Sequence, residues 1–509
     1  MSRIGNKEKT YVFLQHTAIQ HKLTFSCVPK MFLWFAPASS VVVLSTLLSM
    51  ESSVPIIYTA DNDVHKLLPV LKRSVSDEIH SYEIHNHIKQ ANAQGFDLSA
   101  FSIGDADCGS DVHHLFVKKV EADLYAHKPF ADLRRTLVYA RTEARFYSDI
   151  LPLLLESSSS CNEDNFNIAP KVYLAESYLE GLIEDNESAA AKPSDSTIPD
   201  PIYDENNNAI LQNKGGILVL DSVGKGFNGV QYFQDSPLAP SYATKSLRAI
   251  AKFHAMGFQN EKVLEKVSTM LCQYGGSYHL RNRNPKELQN IEKSWDNLVQ
   301  ELKKSTYTPK GFFEQPSINQ LGKRIFKSAK IISDELTPLP SDKYATIVHG
   351  DYKAMNVFLP SLRLEELESN EDLDAILIDF ASTGVGVGMS DVAMHIVHAI
   401  HPNDLRNGGD KILVKQYFQD FQDTLSRQWK VQDYPFDVAF RHYKFAIVDY
   451  FRFVLGRLWR GATIERFAKN KDSKNAVFVN RDVEAALNFI EMADRYLAEI
   501  EEETLLNQN

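Results

Sequence analysis

Cysteine is scarce in this chain, positive charge is in deficit and long apolar runs are almost absent. Its 509 residues hold four cysteines, Cys27, Cys108, Cys161 and Cys272, far apart and without a C-x-x-C pair. That spacing favours free thiols in a reducing compartment over a disulfide framework or a zinc site, so a cytoplasmic protein is expected. A net charge of −11 argues against a general nucleic-acid binder, and no nucleic-acid partner is expected. One uncharged, mostly apolar run, residues 31–50, is just long enough to span a bilayer. Before it lie Arg3, Lys7, Lys9, Lys22 and Lys30 against Glu8 alone, the flank of an anchor or a targeting peptide. Pro37 and several Ser and Thr residues weaken that reading. Residues 1–50 are therefore read three ways: as an extension ahead of a functional chain starting at Met50, as a targeting or anchoring segment, or as an ordinary packed segment. Membrane contact, or an organelle address, is expected only if this segment is retained.

What is present is the composition of a soluble globular protein, 44% hydrophobic and 24% charged, with length for two or three domain-sized units. The most informative stretch is His349-Gly350-Asp351-Tyr352-Lys353-Ala354-Met355-Asn356, followed by Ile376-Leu377-Ile378-Asp379-Phe380. An Asp, four residues and an Asn, then a second Asp 28 residues after the first and leaving an apolar run, is what phosphoryl transfer from ATP requires. One carboxylate orients or deprotonates a hydroxyl. An amide oxygen and the other carboxylate hold the Mg²⁺ that neutralises the triphosphate. The apolar runs 345–348 and 357–359 predict short buried strands on either side of the loop.

Along the chain, 82–90 and 114–120 predict strands, the second ending near Lys118 and Lys119. Positions 133–155 predict a long helix that carries Glu143 and ends near Pro152. Strands are expected over 172–179 and 215–221, with an acidic, low-complexity insert at 182–213 between them that should form a mobile loop. Helical spacing then dominates, over 244–258, 286–304, 317–335, 391–401, 411–429, 436–460 and 481–504. An α+β part, 51–221, thus precedes a mostly helical part, 222–509, which holds the Asp351 loop (349–356) and the Asp379 segment (376–391).

Those elements, in that order, resemble the aminoglycoside phosphotransferase and choline kinase superfamily, and within it the CHK kinase-like, or ecdysteroid-kinase-like, branch. The resemblance rests on Phe116-Val117-Lys118, on Glu143-Ala144-Arg145-Phe146-Tyr147, and on the segments 217–221, 247–255, 349–356, 378–395 and 446–459. It implies an α+β, two-lobed protein-kinase-like fold, with a small antiparallel-sheet N-lobe, a mainly helical C-lobe, and ATP and Mg²⁺ between them. It also implies Asp351 as the catalytic base, Lys353 reaching the transferring phosphate, and Asn356 and Asp379 as metal ligands. Lys118, paired with Glu143, would touch the α/β-phosphates, and the backbone from Asp221 to Val223 would meet the adenine. Lys119 is the rival for Lys118, since neighbours on a strand point to opposite faces. The 104–110 segment falls where the phosphate-covering loop is expected, but it has only Gly104 and Gly109 and no G-x-G-x-x-G. Asp379-Phe380-Ala381 lacks the glycine of protein kinases and no A-P-E element follows, which favours a small-molecule acceptor, a hydroxyl of a choline-like, sterol-like or sugar alcohol. His349 is expected to brace its loop, and Asp391 to cap the helix after it. Asp449, Arg452, Gly456 and Trp459 share a helix face that would either line an acceptor cleft or simply pack. A non-catalytic nucleotide-binding scaffold and a protein kinase are the other functions compatible with this pattern.

Overall fold

The computed structural model describes residues 56–89, 92–102, 111–158, 168–179, 208–226, 230–361, 373–427, 434–474 and 476–506. The expectations placed on residues 1–50, on the 104–110 loop, on Cys27, Cys108 and Cys161, and on residues 182–207 of the acidic insert lie outside these.

Alternation of apolar and polar residues builds the smaller lobe. Strands β1 (Ile57–Tyr58), β2 (Ile79–Lys89), β3 (Gln94–Ser102), β4 (Val112–Glu121), β5 (Val172–Tyr178) and β6 (Gly215–Asp221) make one antiparallel sheet in the order β1-β2-β3-β4-β6-β5. Leu98, Ala100, Leu115 and Val117 point to one face, where helix α1 (Leu68–Ser74) covers them with Leu68 and Leu71. Pro69 sits in the first turn of α1, where its missing N–H costs nothing, so the helix is not split by it. Helix α2 (Phe130–Arg145) packs against β5 and β6. The helical path does not end at Pro152 as the sequence suggests. A π turn over Phe146–Ile150 leads into α3 (Leu151–Ser158), with the Leu151 N–H donating back to the Phe146 carbonyl. The wider turn makes room for a proline ring that would otherwise meet the carbonyl four residues earlier.

Helical spacing builds the larger lobe, whose longer helices are α4 (Pro240–Gly257), α5 (Glu261–Met270), α6 (Ile291–Leu302), α7 (Leu321–Glu335), α8 (Met389–Ala399), α9 (Gly409–Arg427), α10 (Phe436–Phe453) and α11 (Val483–Leu506). Set among them are β7 (Tyr232–Phe233), β9 (Val357–Pro360) and β10 (Ile376–Leu377), ordered β10-β9-β7, and the pair β8 (Thr346–Val348) and β11 (Gly384–Gly386). From His442 to Arg452 every residue of α10 is buried, the charged Lys444, Asp449 and Arg452 included. One apolar cluster runs through both lobes, and Phe146 of the π turn stacks on Phe380 with ring centroids 3.9 Å apart. Among the described residues no helix is long and apolar enough to cross a membrane.

Candidate functional site

Strand alternation decides between the two lysines. The Lys118 ammonium donates to Glu143 Oε2 at 2.6 Å and to Asp379 Oδ1 at 2.9 Å. Lys119, on the opposite face, meets Glu121 at 3.0 Å. Lys118 therefore ties the sheet to α2 and to the segment that leaves β10. Asp379 holds φ at +66°, a left-handed conformation costly for any residue with a Cβ. Burial alone would lower the Lys118 pKa, but the carboxylates of Asp379 and Glu143 outweigh it and raise it. Burial would likewise raise the Asp379 carboxyl, yet Lys118 and Lys353 draw it down to about 2. Glu143 has the drier position, and burial pushes it to about 7 against the pull of Lys118.

The loop between β8 and β9 carries the other charged groups. Asp351 Oδ2 accepts from the Lys353 ammonium at 2.8 Å and from Asn356 Nδ2 at 3.2 Å. Asn356 Nδ2 also donates to the Asp351 carbonyl at 2.8 Å. The Asp351 charge is the main reason the Lys353 ammonium is held above its usual pKa. His349 Nε2 donates to the Ile378 carbonyl at 2.9 Å, which links this loop to the residue before Asp379.

Asp391 does something other than cap a helix. Its carboxylate, fully buried, accepts the His349 N–H at 2.6 Å and the Gly350 N–H at 2.9 Å. His254 Nε2 of α4 donates to the same carboxylate at 3.0 Å, which leaves Nδ1 to accept the Tyr417 hydroxyl of α9 at 2.7 Å. The N-cap position belongs to Gly388. No local pattern pointed to this role, because the partners lie about forty residues upstream.

Gly350 is held at φ +79°, and a Cβ there would stand 2.1 Å from the Ser382 carbonyl oxygen and 2.7 Å from the Gly276 nitrogen. Both obstacles are backbone. Gly350→Ala should therefore cost about 3 kcal/mol or more, visible in calorimetry as a large fall in Tm. A variant that melts with the wild type would mean the loop has room this geometry denies it.

The donors suit a hard cation. With its amide N–H groups committed to Asp351, Asn356 leaves Oδ1 for a metal, and Asp379 supplies a carboxylate. Among the described residues no group of three or more His, Cys, Asp or Glu is placed to hold an ion. A cation here would take its remaining ligands from phosphate and water, as Mg²⁺ prefers.

Gly95 of β3 lies opposite Lys118 of β4, whereas Phe101 lies opposite Val112 at the far end of the same pair, about 20 Å away at a rise near 3.3 Å per residue. At the Lys118 end, Lys89 of β2 pairs with Gln94 of β3. Asn92 lies beside that end, its Oδ1 accepting from Lys128 Nζ at 2.6 Å and from Thr136 Oγ1 of α2 at 3.3 Å. The sequence has a G-x-G-x-x-G at 224–229, and its first three residues follow β6 at the opposite end of the cleft face.

Where β6 ends, the Asp221 carboxylate accepts the Tyr173 hydroxyl at 2.8 Å, so a base would find main chain here rather than that side chain. The N–H groups of Asp221 and Ser222 donate to the carbonyls of Lys171 and His114, both at 3.0 Å, and Val223 is buried.

The proposed acceptor face on α10 does not line a cleft as a unit. Trp459 is packed between Phe451 and Phe489, and its indole N–H donates to the Val479 carbonyl at 3.3 Å. Asp449 and Arg452 form a buried pair at 2.7 Å, and Arg452 also donates to the Tyr278 carbonyl at 2.7 Å. This is the packed arrangement, one of the two readings of that face, and it follows from α10 being enclosed on both of its faces.

No curated protein matches the chain. Among solved structures it is similar to choline kinase LicA from Streptococcus pneumoniae, 12% identical over 85% of this chain and 99% of that one, with a TM-score of 0.34. It is similar to amicoumacin kinase hAmiN, solved with AMP-PNP, Ca²⁺ and Ami, 11% identical over 87% and 94% of the two chains, TM-score 0.38. An aminoglycoside phosphotransferase from Alicyclobacillus acidocaldarius is 10% identical over 82% and 92%, TM-score 0.34. Likeness at this level does not extend to substrate. Residues 110–428, which hold Lys118, Glu143, the Asp351 loop, Asp379 and the Asp391 brace, match the model of the ecdysteroid kinase-like family, and the chain belongs to that family.

Proposed function

We propose that the chain transfers the γ-phosphoryl group of ATP, with Mg²⁺, to a hydroxyl of a small molecule. The observation that carries this is the Lys118 ammonium, which meets Glu143 and Asp379 together and so places a cation between the sheet and the metal-binding carboxylate. On this reading Lys118 meets the α/β-phosphates, and Glu143 keeps it aimed. Asn356 and Asp379 hold the cation that neutralises the triphosphate. Asp351 orients the acceptor hydroxyl and takes its proton, while Lys353, 2.8 Å from it, faces the charge of the transferring group. The main chain from Asp221 to Val223 receives the base.

The acceptor alcohol, choline-like, sterol-like or sugar, is set by experiment. Purified protein incubated with labelled ATP and Mg²⁺ against neutral alcohols, sugars and amino alcohols should pass label to one of these acceptors and stop when Mg²⁺ is chelated. ATP binding without transfer to any acceptor would leave the scaffold reading in place. Transfer to protein substrates alone would make it a protein kinase.

A further inference from the structure

Strand register fixes the position of a carboxylate that the scheme above does not use. Lys118 points into the cleft, so Phe116, two residues earlier on β4, shares that face. Asp97 of β3 stands opposite Phe116, and Leu220 of β6 stands on its other side. Residues paired across a ladder project to the same face, so Asp97 also faces the cleft. It lies one side-chain period from the level of Lys118, about 7 Å toward the end of the sheet where β6 gives way to Ser222. There its Oδ1 accepts the Ser222 hydroxyl at 2.6 Å, and Ser222 is buried with its N–H on the His114 carbonyl. The roof of the slot, between the phosphate end at Lys118 and the base end at Asp221–Val223, thus carries a half-buried carboxylate.

A carboxylate only accepts hydrogen bonds, and it repels phosphate. With Oδ1 on Ser222, Oδ2 is left to face whatever fills the slot. The donors a nucleoside can present are its ribose hydroxyls and the exocyclic amino group of its base. We propose that Asp97 accepts a hydrogen bond from one of these groups and so helps to determine which nucleotide the cleft takes. This rests on the nucleotide reading above.

Calorimetric titration of the full chain in Mg²⁺ tests it, with ATP, 2′-deoxyATP, 3′-deoxyATP and purine riboside triphosphate, which lacks the amino group. Asp97→Ala should weaken ATP about tenfold or more, the loss of one hydrogen bond to a charged group. The analogue lacking the donor that Asp97 reads should bind the wild type about as weakly, and lose little further in the variant. A deoxy analogue behaving so places the contact on the ribose, and the purine riboside places it on the base. Ser222→Ala should preserve the discrimination. Asp97→Asn keeps an oxygen for Ser222, and hence the tie between β3 and the end of β6, and it serves the same comparison if Asp97→Ala does not fold. Equal weakening of all four nucleotides by Asp97→Ala, matched by Ser222→Ala, would reduce Asp97 to a structural clip and overturn the proposal. So would unchanged ATP affinity. A wild-type chain that binds none of the four overturns the nucleotide reading itself, a different failure from tight ATP binding that ignores Asp97.

Discussion

Asp351→Asn should lower turnover about a thousandfold while leaving Mg²⁺-dependent ATP binding near the wild type, the scale typical of losing a positioned base. The amide keeps the size of the carboxylate and an oxygen for Lys353, so the loop keeps its shape, but a neutral amide does not take a proton. Asp379→Asn should fail differently. It removes the charge that Lys118 meets at 2.9 Å and one of two oxygen donors suited to the cation, so nucleotide affinity should fall with turnover and lose its dependence on Mg²⁺. Single-turnover phosphorylation and nucleotide titration separate the two behaviours. Near-wild-type phosphorylation by both variants would sink the assignment of roles, and loss of ATP binding by Asp351→Asn would make that residue structural.

Acid should unfold this protein sooner than its carboxylates alone would suggest. Burial holds His279, His395 and His442 at about 4, and His398, with no hydrogen-bond partner on either ring nitrogen, well below its ordinary value. Unfolded histidine titrates near 6.5. Between that pH and about 4 the unfolded chain binds protons that the fold refuses, so this stability is fully present above about pH 6.5 and drains away as pH falls. His279, His395 and His442 each account for about 2 kcal/mol by pH 5, and His398 adds to the same loss. Glu143, whose carboxyl burial pushes up, has the opposite sign and offsets part of this loss. The net loss is still several kcal/mol, comparable with the whole stability of many domains. Calorimetry from pH 7.5 to 5 should show Tm falling steeply, and His398→Leu should flatten the slope. A Tm that holds to pH 5 would refute the argument.

The donor half of the site was legible because its residues are close in sequence and sit on simple patterns. Asp351 and Asn356 share one loop, Asp379 leaves an apolar strand, and Lys118 lies in an alternating one. The helices were legible for the same reason, their spacing being a local property. What escaped depends on contacts between distant segments. The 104–110 segment, chosen by its two glycines, lies outside the described residues, and the register that sets Gly95 opposite Lys118 is a contact between strands that glycine spacing does not reveal. Asp391 has the look of a capping residue until its two amide partners are seen. Trp459 shared a helix face with Asp449, but periodicity does not tell a face that meets a cleft from one that meets Phe489.

The Asp391 brace also dictates an order of assembly. Tyr417, His254, Asp391 and the amides of His349 and Gly350 form one chain of hydrogen bonds whose links join residues as many as 163 positions apart. Contacts that distant form late, after the cost of closing the long loops between them has been met. A chain synthesised from its N-terminus exposes the Asp351 loop long before Tyr417 exists to complete the brace. A polypeptide stopped ahead of α9 would contain Lys118, Glu143, Asp351, Asn356 and Asp379 and still lack the tie that shapes the loop. The span shared with the family reaches just past α9, so a chain trimmed to it would carry both the motif and its brace.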